Sequence, residues 1–310
     1  MGRYILKRLL LLIPVLLGVA IIIFTIMQLQ PGDPGRMILG ASASQEAVDA
    51  LNEQLGINRP FFVRFFDYID QAFLHLNFGT SYRTGQPVIS EIFARLPVSL
   101  KISFNGILMA CVLGIPLGIL SAVKQYSAVD SFSTITAMLL AAIPPFWLAM
   151  MLIYIFALKL GILPSNGIET WRHYILPMIT LGLPYGGVML RMTRSTMLET
   201  IRADYVRTAR AKGVPNGRIV FHHALQNAWL PIITTAITSF GGLLGGAVIT
   251  ESVFNMSGLG TMIVSGIRSR DIPSVMGATI ILAFMFGIIM LVADLLYAYV
   301  DPRVKAKYTK

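Results

Sequence analysis

A stretch of about 20 apolar residues is what a helix needs to cross a hydrocarbon core of about 30 Å, and this chain offers six of them. Leu9–Leu29, Ile102–Val123, Phe132–Leu158, Ala228–Thr250 and Ile272–Ala293 carry no charge across most or all of their length, the last continuing to about residue 298. Tyr174–Leu190 is shorter and interrupted by Pro177 and Pro184, which predicts a kinked or partly buried span. With 55% hydrophobic and 13% charged residues and a mean hydropathy of +0.70, the chain reads as an all-α membrane protein and not a soluble domain. Leu9–Leu29 follows Arg3, Lys7 and Arg8 as a signal peptide would, but it is too long for a signal core and no small-residue cleavage site follows; it reads as a retained first span.

Counting lysines and arginines on alternate sides sets the orientation. One side holds Arg3, Lys7, Arg8, Lys124, the run from Arg191 to Arg218 and the C-terminal Arg303, Lys305, Lys307 and Lys310, a total of 15 basic against 4 acidic residues. The other side balances 10 against 10. By the positive-inside rule both termini face the cytoplasm. The net charge of +10 is then a matter of topology and membrane lipid, with no nucleic-acid partner expected.

Residues 30–100 form an external loop large enough for structure of its own. Pro31-Gly32-Asp33-Pro34 ends the first span, Ser44 is placed to cap a helix running to Leu55, and Phe61, Phe62, Phe65, Phe66 and Tyr68 form an aromatic cluster suited to the headgroup level or to an external partner. Val88–Arg95 reads as an amphipathic helix lying on the membrane surface. In the fifth span Gly241, Gly242, Gly245 and Gly246 make two overlapping Gly-x-x-x-Gly pairs for close helix packing, and Glu251 at its outer end reads as solvated. Residues 253–271 suit a re-entrant or surface segment. Asp294, near the end of the last span, calls for an ion pair or a cap.

The most polar part of the chain is residues 195–227, read as two short helices joined by a turn at Gly213 and Pro215-Asn216-Gly217, with Leu198, Ile201, Tyr205 and Ala209 as one apolar stripe. No Gly-Lys dipeptide occurs, so there is no phosphate-cradling P-loop; no nucleophile elbow, metal-binding helix or mid-membrane ion relay stands out either. His222 and His223, side by side, point to different helix faces. The single Cys111 excludes an internal disulfide, and no metal site is expected. A chain of this kind that moves a solute must draw energy from another polypeptide, unless it is a stand-alone secondary transporter or channel. A membrane-anchored enzyme is disfavoured by the missing catalytic groups.

Tyr205–Gly213 (YVRTARAKG), followed by His223–Ala228 and Leu230-Pro231, resembles the cytoplasmic coupling loop, called the EAA loop, of the permeases of binding-protein-dependent ABC importers. Pro31–Pro34, Phe78-Gly79, Pro87-Val88, Met192–Ser195, Gly258–Gly260, Arg270-Asp271, Val292–Tyr297 and Asp301–Arg303 resemble further marks of the dipeptide, oligopeptide and nickel branch of that family. The resemblance implies a six-helix bundle of the type I importer class in a bacterial inner membrane. It also implies a heterodimer with a second, homologous permease, two ATPase subunits holding ATP and magnesium, an external substrate-binding protein and a peptide cargo. Nickel-chelate and glutathione import are the alternatives within the branch. No cofactor is implied on this chain itself. Tyr205, Val206, Arg207, Ala209 and Arg210 are the expected ATPase-coupling residues, with Gly213 as the turn. Asn105, Tyr185, Thr234 and Thr238, polar groups within spans, are the candidate lining of the translocation pathway.

Overall fold

In the computed structural model, residues 2–29 and 32–300 are described, with side chains for 5–29 and 32–296. Pro31, the side chain of Arg3, the basic C-terminal residues and the Asp301–Arg303 mark lie outside the described residues. The described chain is helical, and a lone bridge between Thr80 and Pro87 is its only strand-like pairing. In order the helices are α1 (Gly2–Leu29), α2 (Pro34–Leu39), α3 (Gln45–Gln54), α4 (Phe61–Leu74), α5 (Val88–Val123), α6 (Ala128–Ala142), α7 (Pro145–Leu152), α8 (Ile175–Ile201), α9 (Asp204–Ala211), α10 (Asn216–Arg218), α11 (Leu225–Val253), α12 (Leu259–Arg268) and α13 (Ile272–Val300). Wider π turns follow α7 at Ile153–Lys159 and α10 at Ile219–Ala224. Five helical stretches are long and apolar enough to cross a membrane, or six if α6 and α7 count as one broken span.

That break falls inside the third span expected over 132–158. α6 and the helix after it meet at 98°. The cause is Pro144-Pro145: neither residue has an N–H to continue the ladder, and Ile143, preceding a proline, is extended at φ −73° and ψ 124°. The amphipathic surface helix expected at Val88–Arg95 is instead the first part of the 36-residue α5. Val88 and Ile92 are fully buried there, and its charges are matched internally by Glu91 and Arg95 at 3.2 Å. The fourth span runs on to Ile201 without breaking at Pro184.

The chain divides into two compact units. One comprises Gly2–Ser99 and Ser257–Gly287. Its core is built by Ala20 and Phe24 of α1, Phe65 and Ala72 of α4, Phe78, Val88, Ile92, Leu259 and Met262 of α12, and Met276 of α13. Phe24 meets Phe61 and Phe65 edge-on at 5.2 and 5.6 Å, so these two of the five cluster aromatics join the core, Tyr68 packs against it, and Phe62 and Phe66 remain exposed. Asp33 and Ser44 cap α2 and α3. The segment at 253–271 is thus a helix with a buried face, not a surface strip. Asp271, 2% exposed, caps α13 and gathers four donors: the Tyr82 and Ser274 amides at 3.0 and 3.4 Å on one oxygen, and the Ser81 and Ser274 hydroxyls on the other.

The other unit runs over Leu100–Met256 and from Ile288 on. α8 is its centre, packed against α6, α7 and α11. α5 lies on α8 so closely that a Cβ at Gly114 would come within 2.6 Å of the Gly186 carbonyl, and one at Gly118 within 2.8 Å of the Leu190 carbonyl. The expected glycine packing on the fifth span is weaker than this. A Cβ at Gly242 would meet only the Tyr185 ring, and Gly245 and Gly246 have nothing within 4 Å. Glu251 is fully buried and has interaction partners, which corrects its reading as solvated. Asp294 is half-buried and partnered.

Candidate functional site

The polar segment 195–227 contains two short helices, α9 and α10, on either side of the turn at Gly213. Its first part completes α8 to Ile201, and its last part, from Asn216 on, leads through α10 and the π turn straight into α11. α9 alone stands between them, opened by Asp204 in its first turn, where a carboxylate suits the helix dipole.

Its C-terminus is a full Schellman motif. The Gly213 amide donates to the Arg210 carbonyl at 2.9 Å and the Val214 amide to the Ala209 carbonyl at 3.2 Å, with Gly213 left-handed at φ +77°. Nothing lies within 4 Å of a Cβ placed on Gly213, so the glycine is required by backbone conformation and not by crowding.

α9 has two faces. Val206 and Ala209 are buried, and α9 packs on the π turn Ile219–Ala224, whose Ile219 and Ala224 are buried too. Tyr205, 43% exposed, with Arg207 and Arg210, faces outward. The expected set of coupling residues is therefore split: Val206 and Ala209 anchor α9 to its own chain, while Tyr205, Arg207 and Arg210 are turned toward solvent. The Asp204–Arg207 pair at 3.6 Å, with both side chains largely in solvent, adds little stability.

The end of α8 that carries α9 is held by an ion pair whose acid is buried. Arg194 donates from Nε to Asp130 Oδ1 at 2.6 Å and from Nη2 to Oδ2 at 2.9 Å. The Ser121 hydroxyl and the Tyr126 amide complete the shell of Asp130, which is 4% exposed. This locks the turn between α5 and α6 to α8, and Arg202 reaches the same turn at Gln125, 2.9 Å away. Sequence reasoning missed the pair, whose members are 64 residues apart. The one legible signal was Asp130 itself, an acid one turn into a helix capped by Ser127.

The four candidate lining residues are not gathered into one site. Tyr185 lies against Gly242 of α11, and Thr238 is exposed one turn before that glycine. The hydroxyls of Thr234 and Thr238 donate to the Leu230 and Thr234 carbonyls of their own helix at 2.8 and 2.9 Å, so they bond no neighbouring helix. Asn105 is half-buried on α5, beside the Gly106 contact with α8, and makes no hydrogen bond among the described residues. No group of three or more metal-binding side chains occurs among the described residues.

The family model described as "Binding-protein-dependent transport system inner membrane component" matches residues 114–306, and that of the N-terminal part of such components matches residues 1–103. The dipeptide transport system permease protein DppB of Alkalihalophilus pseudofirmus is 39% identical, over 98% of this chain and all of its own length. The glutathione transport system permease protein GsiC of Salmonella typhimurium is 40% identical over 99% of this chain and all of its own. Among solved structures, the inward-facing MetNI methionine ABC transporter aligns with a TM-score of 0.57 at 19% identity, over 68% of this chain and 96% of that one, a likeness of fold. The chain thus has the fold of a type I ABC importer permease, spans the membrane several times, and belongs to the family of binding-protein-dependent transport system inner membrane components.

Proposed function

We propose that this permease forms half of the pathway of an ATP-driven importer of di- or oligopeptides, and that α9 is where it couples to an ATPase subunit. The observation that carries the reading is the build of α9: a short helix anchored by Val206 and Ala209, ended by a glycine that only backbone torsion requires, and presenting Tyr205, Arg207 and Arg210 outward. Such a piece transmits a push from outside into α8 and α11 without unfolding, because its inner face is packed and its outer face is not. A second permease completes the pathway, two ATPase subunits supply ATP and magnesium, and an external binding protein delivers the cargo. The bundle then rocks between two states whose balance the ATPases shift. Both termini and α9 lie in the cytoplasm. The names of the relatives, dipeptide and glutathione permeases, support a peptide cargo over a nickel chelate.

Uptake into vesicles holding the assembled complex tests this. Peptide accumulation requires ATP inside, and replacing Tyr205 and Arg210 together by Ala lowers uptake while the protein still inserts and binds detergent-purified permease partner. Accumulation that persists without ATPase subunits identifies a secondary transporter instead. Asn105, Tyr185, Thr234 and Thr238 are proposed as lining residues. Cysteines placed there react with aqueous reagents in at least one transport state; protection in every state removes them from the pathway.

A further inference from the structure

α6 packs along α8 and is fixed to it at two places. Near the start of α6, Arg194 holds both oxygens of Asp130, at 2.6 and 2.9 Å. Further along α6, Gly187 of α8 lies so close that a Cβ on it would come 2.6 Å from the carbonyl oxygen of the fully buried Ala137. Counted from the ion pair, Ala137 is about two turns forward on α6 and Gly187 about two turns back on α8, so the helices run antiparallel in one register.

The two contacts resist different displacements. Backbone against backbone at Gly187 opposes closer approach, but dispersion between a glycine and an alanine does little against sliding or separation. A guanidinium fork on a carboxylate is directional at both of its bonds and opposes all three. At the far end of α6, Pro144-Pro145 ends the hydrogen-bond ladder, so the helix that leaves there at 98° does not hold α6 in line. At its near end α6 follows the turn after Val123, which Arg202 also grips through Gln125. The orientation of α6 is thus set by α8.

α8 is also the helix that receives α9. Only Arg202 and Ala203 separate Ile201, its last residue, from Asp204, the first of α9. Arg194 lies about two turns before that junction. A displacement entering α8 from α9 therefore meets Asp130 before it meets the glycine contacts at Leu190 and Gly187.

We propose that Asp130 and Arg194 are positioning residues for transport: they make α6 travel with α8, so that a displacement received at α9 reaches the corner at Ile143-Pro144 instead of being lost in the turn between α5 and α6. The inference rests on the coupling role of α9. An ion pair with a buried acid holds a fold together no better than well-packed apolar residues of the same volume; what it adds is a single register, and register is what a moving element must keep.

The test uses the complete importer in vesicles, with ATP inside and the binding protein outside, and reads cargo accumulated per ATP hydrolysed. The probe is whichever of labelled dialanine and labelled glutathione the wild-type complex accumulates. Arg194→Gln leaves Asp130 the Tyr126 amide and the Ser121 hydroxyl, so the carboxylate keeps two donors. In this variant ATP hydrolysis continues while the ratio falls about ten-fold, within the range for coupled sites. Arg194→Lys gives an intermediate ratio, because an ammonium is a point donor without the fork that spans both oxygens. A merely structural pair changes the amount of assembled complex and lowers both rates together, so a wild-type ratio in Arg194→Gln overturns the proposal. If Arg194→Gln does not assemble, Arg194→Lys decides alone, and a wild-type ratio there overturns it. Tyr205→Ala with Arg210→Ala, in the same vesicles, separates two failures. Normal uptake in that variant removes the coupling role of α9 and the inference with it; lowered uptake there beside a wild-type ratio in Arg194→Gln removes the inference alone.

Discussion

Each of the two units buries an aspartate, and the two are satisfied by different means. Asp130 receives two N–H groups from the Arg194 guanidinium, one on each oxygen, with the Tyr126 amide on Oδ2 and the Ser121 hydroxyl on Oδ1. Asp271 has no cation at ion-pair distance among the described residues and is held by two backbone amides on Oδ1 and two serine hydroxyls on Oδ2. The difference lies in which donors can turn round. A guanidinium and a backbone amide can only donate, so both oxygens of Asp130 must remain acceptors. Both donors on Oδ2 of Asp271 are hydroxyls, and a hydroxyl can rotate to accept. Charge is therefore indispensable at the first site and dispensable at the second.

The largest expected effect follows directly. Asp130→Asn turns an amide NH₂ toward fixed donors and leaves the partly exposed Arg194 guanidinium unpaired, at a cost of about 3 kcal/mol in unfolding of the purified chain, the low end for a buried pair. Replacing Asp130 and Arg194 together by apolar residues restores part of that loss; a double variant no better than the single breaks the comparison. Next comes the second place where the units differ. α9 and α12 both end in a Schellman turn, with Gly213 at the left-handed position in one and Arg270, φ +52°, in the other. Gly213→Ala costs about 1–2 kcal/mol in stability and lowers peptide uptake per ATP hydrolysed. Arg270→Gly is close to neutral, because relief of the backbone offsets loss of the guanidinium that lies against Gly32.

Asp271→Asn should cost only about 1 kcal/mol, since its oxygen still serves both amides and its NH₂ donates to the two turned hydroxyls. A loss as large as that of Asp130→Asn, in the same unfolding measurement, shows that charge matters at both sites. The smallest effect belongs to a third, less buried carboxylate. The Asn52 amide holds Asp33 below the usual carboxylate range. A depressed folded pKa means stabilisation that is present above the unfolded value and lost as pH falls through the folded one. The protection of the α2 amides, measured as exchange relative to the intrinsic rate at each pH, falls on acidification, and Asn52→Ala moves that fall to higher pH.

These contrasts also show which parts of the structure could be read in the sequence. Gly213, Ser44 and Asp33 act through their own backbone neighbourhood, and local chemistry is written locally. The break at Pro144-Pro145 was equally legible, but uncharged composition on both sides of it suggested one continuous span. Glu91 and Arg95 made the start of α5 resemble a surface helix because their i,i+4 pairing, which lets them be buried, depends on geometry. Of the stripe read as Leu198, Ile201, Tyr205 and Ala209, only Ala209 is buried on α9; Tyr205 is exposed, and Val206, outside that stripe, is the second residue covered by the π turn of the same chain. Asp130 with Arg194, and Asp271 with Ser81, join residues 64 and 190 positions apart, and no local pattern announces such pairs.

The bend between α6 and α7 has a consequence for water. Two successive prolines supply no N–H to the last turn of α6, so carbonyl oxygens there lack the donors that a continuous helix would give them. Hydrocarbon offers no substitute, and exposed backbone at membrane depth persists only against protein or a wet space. The carbonyls at the Ile143-Pro144 corner accordingly need partners from outside α6, supplied by protein or by water.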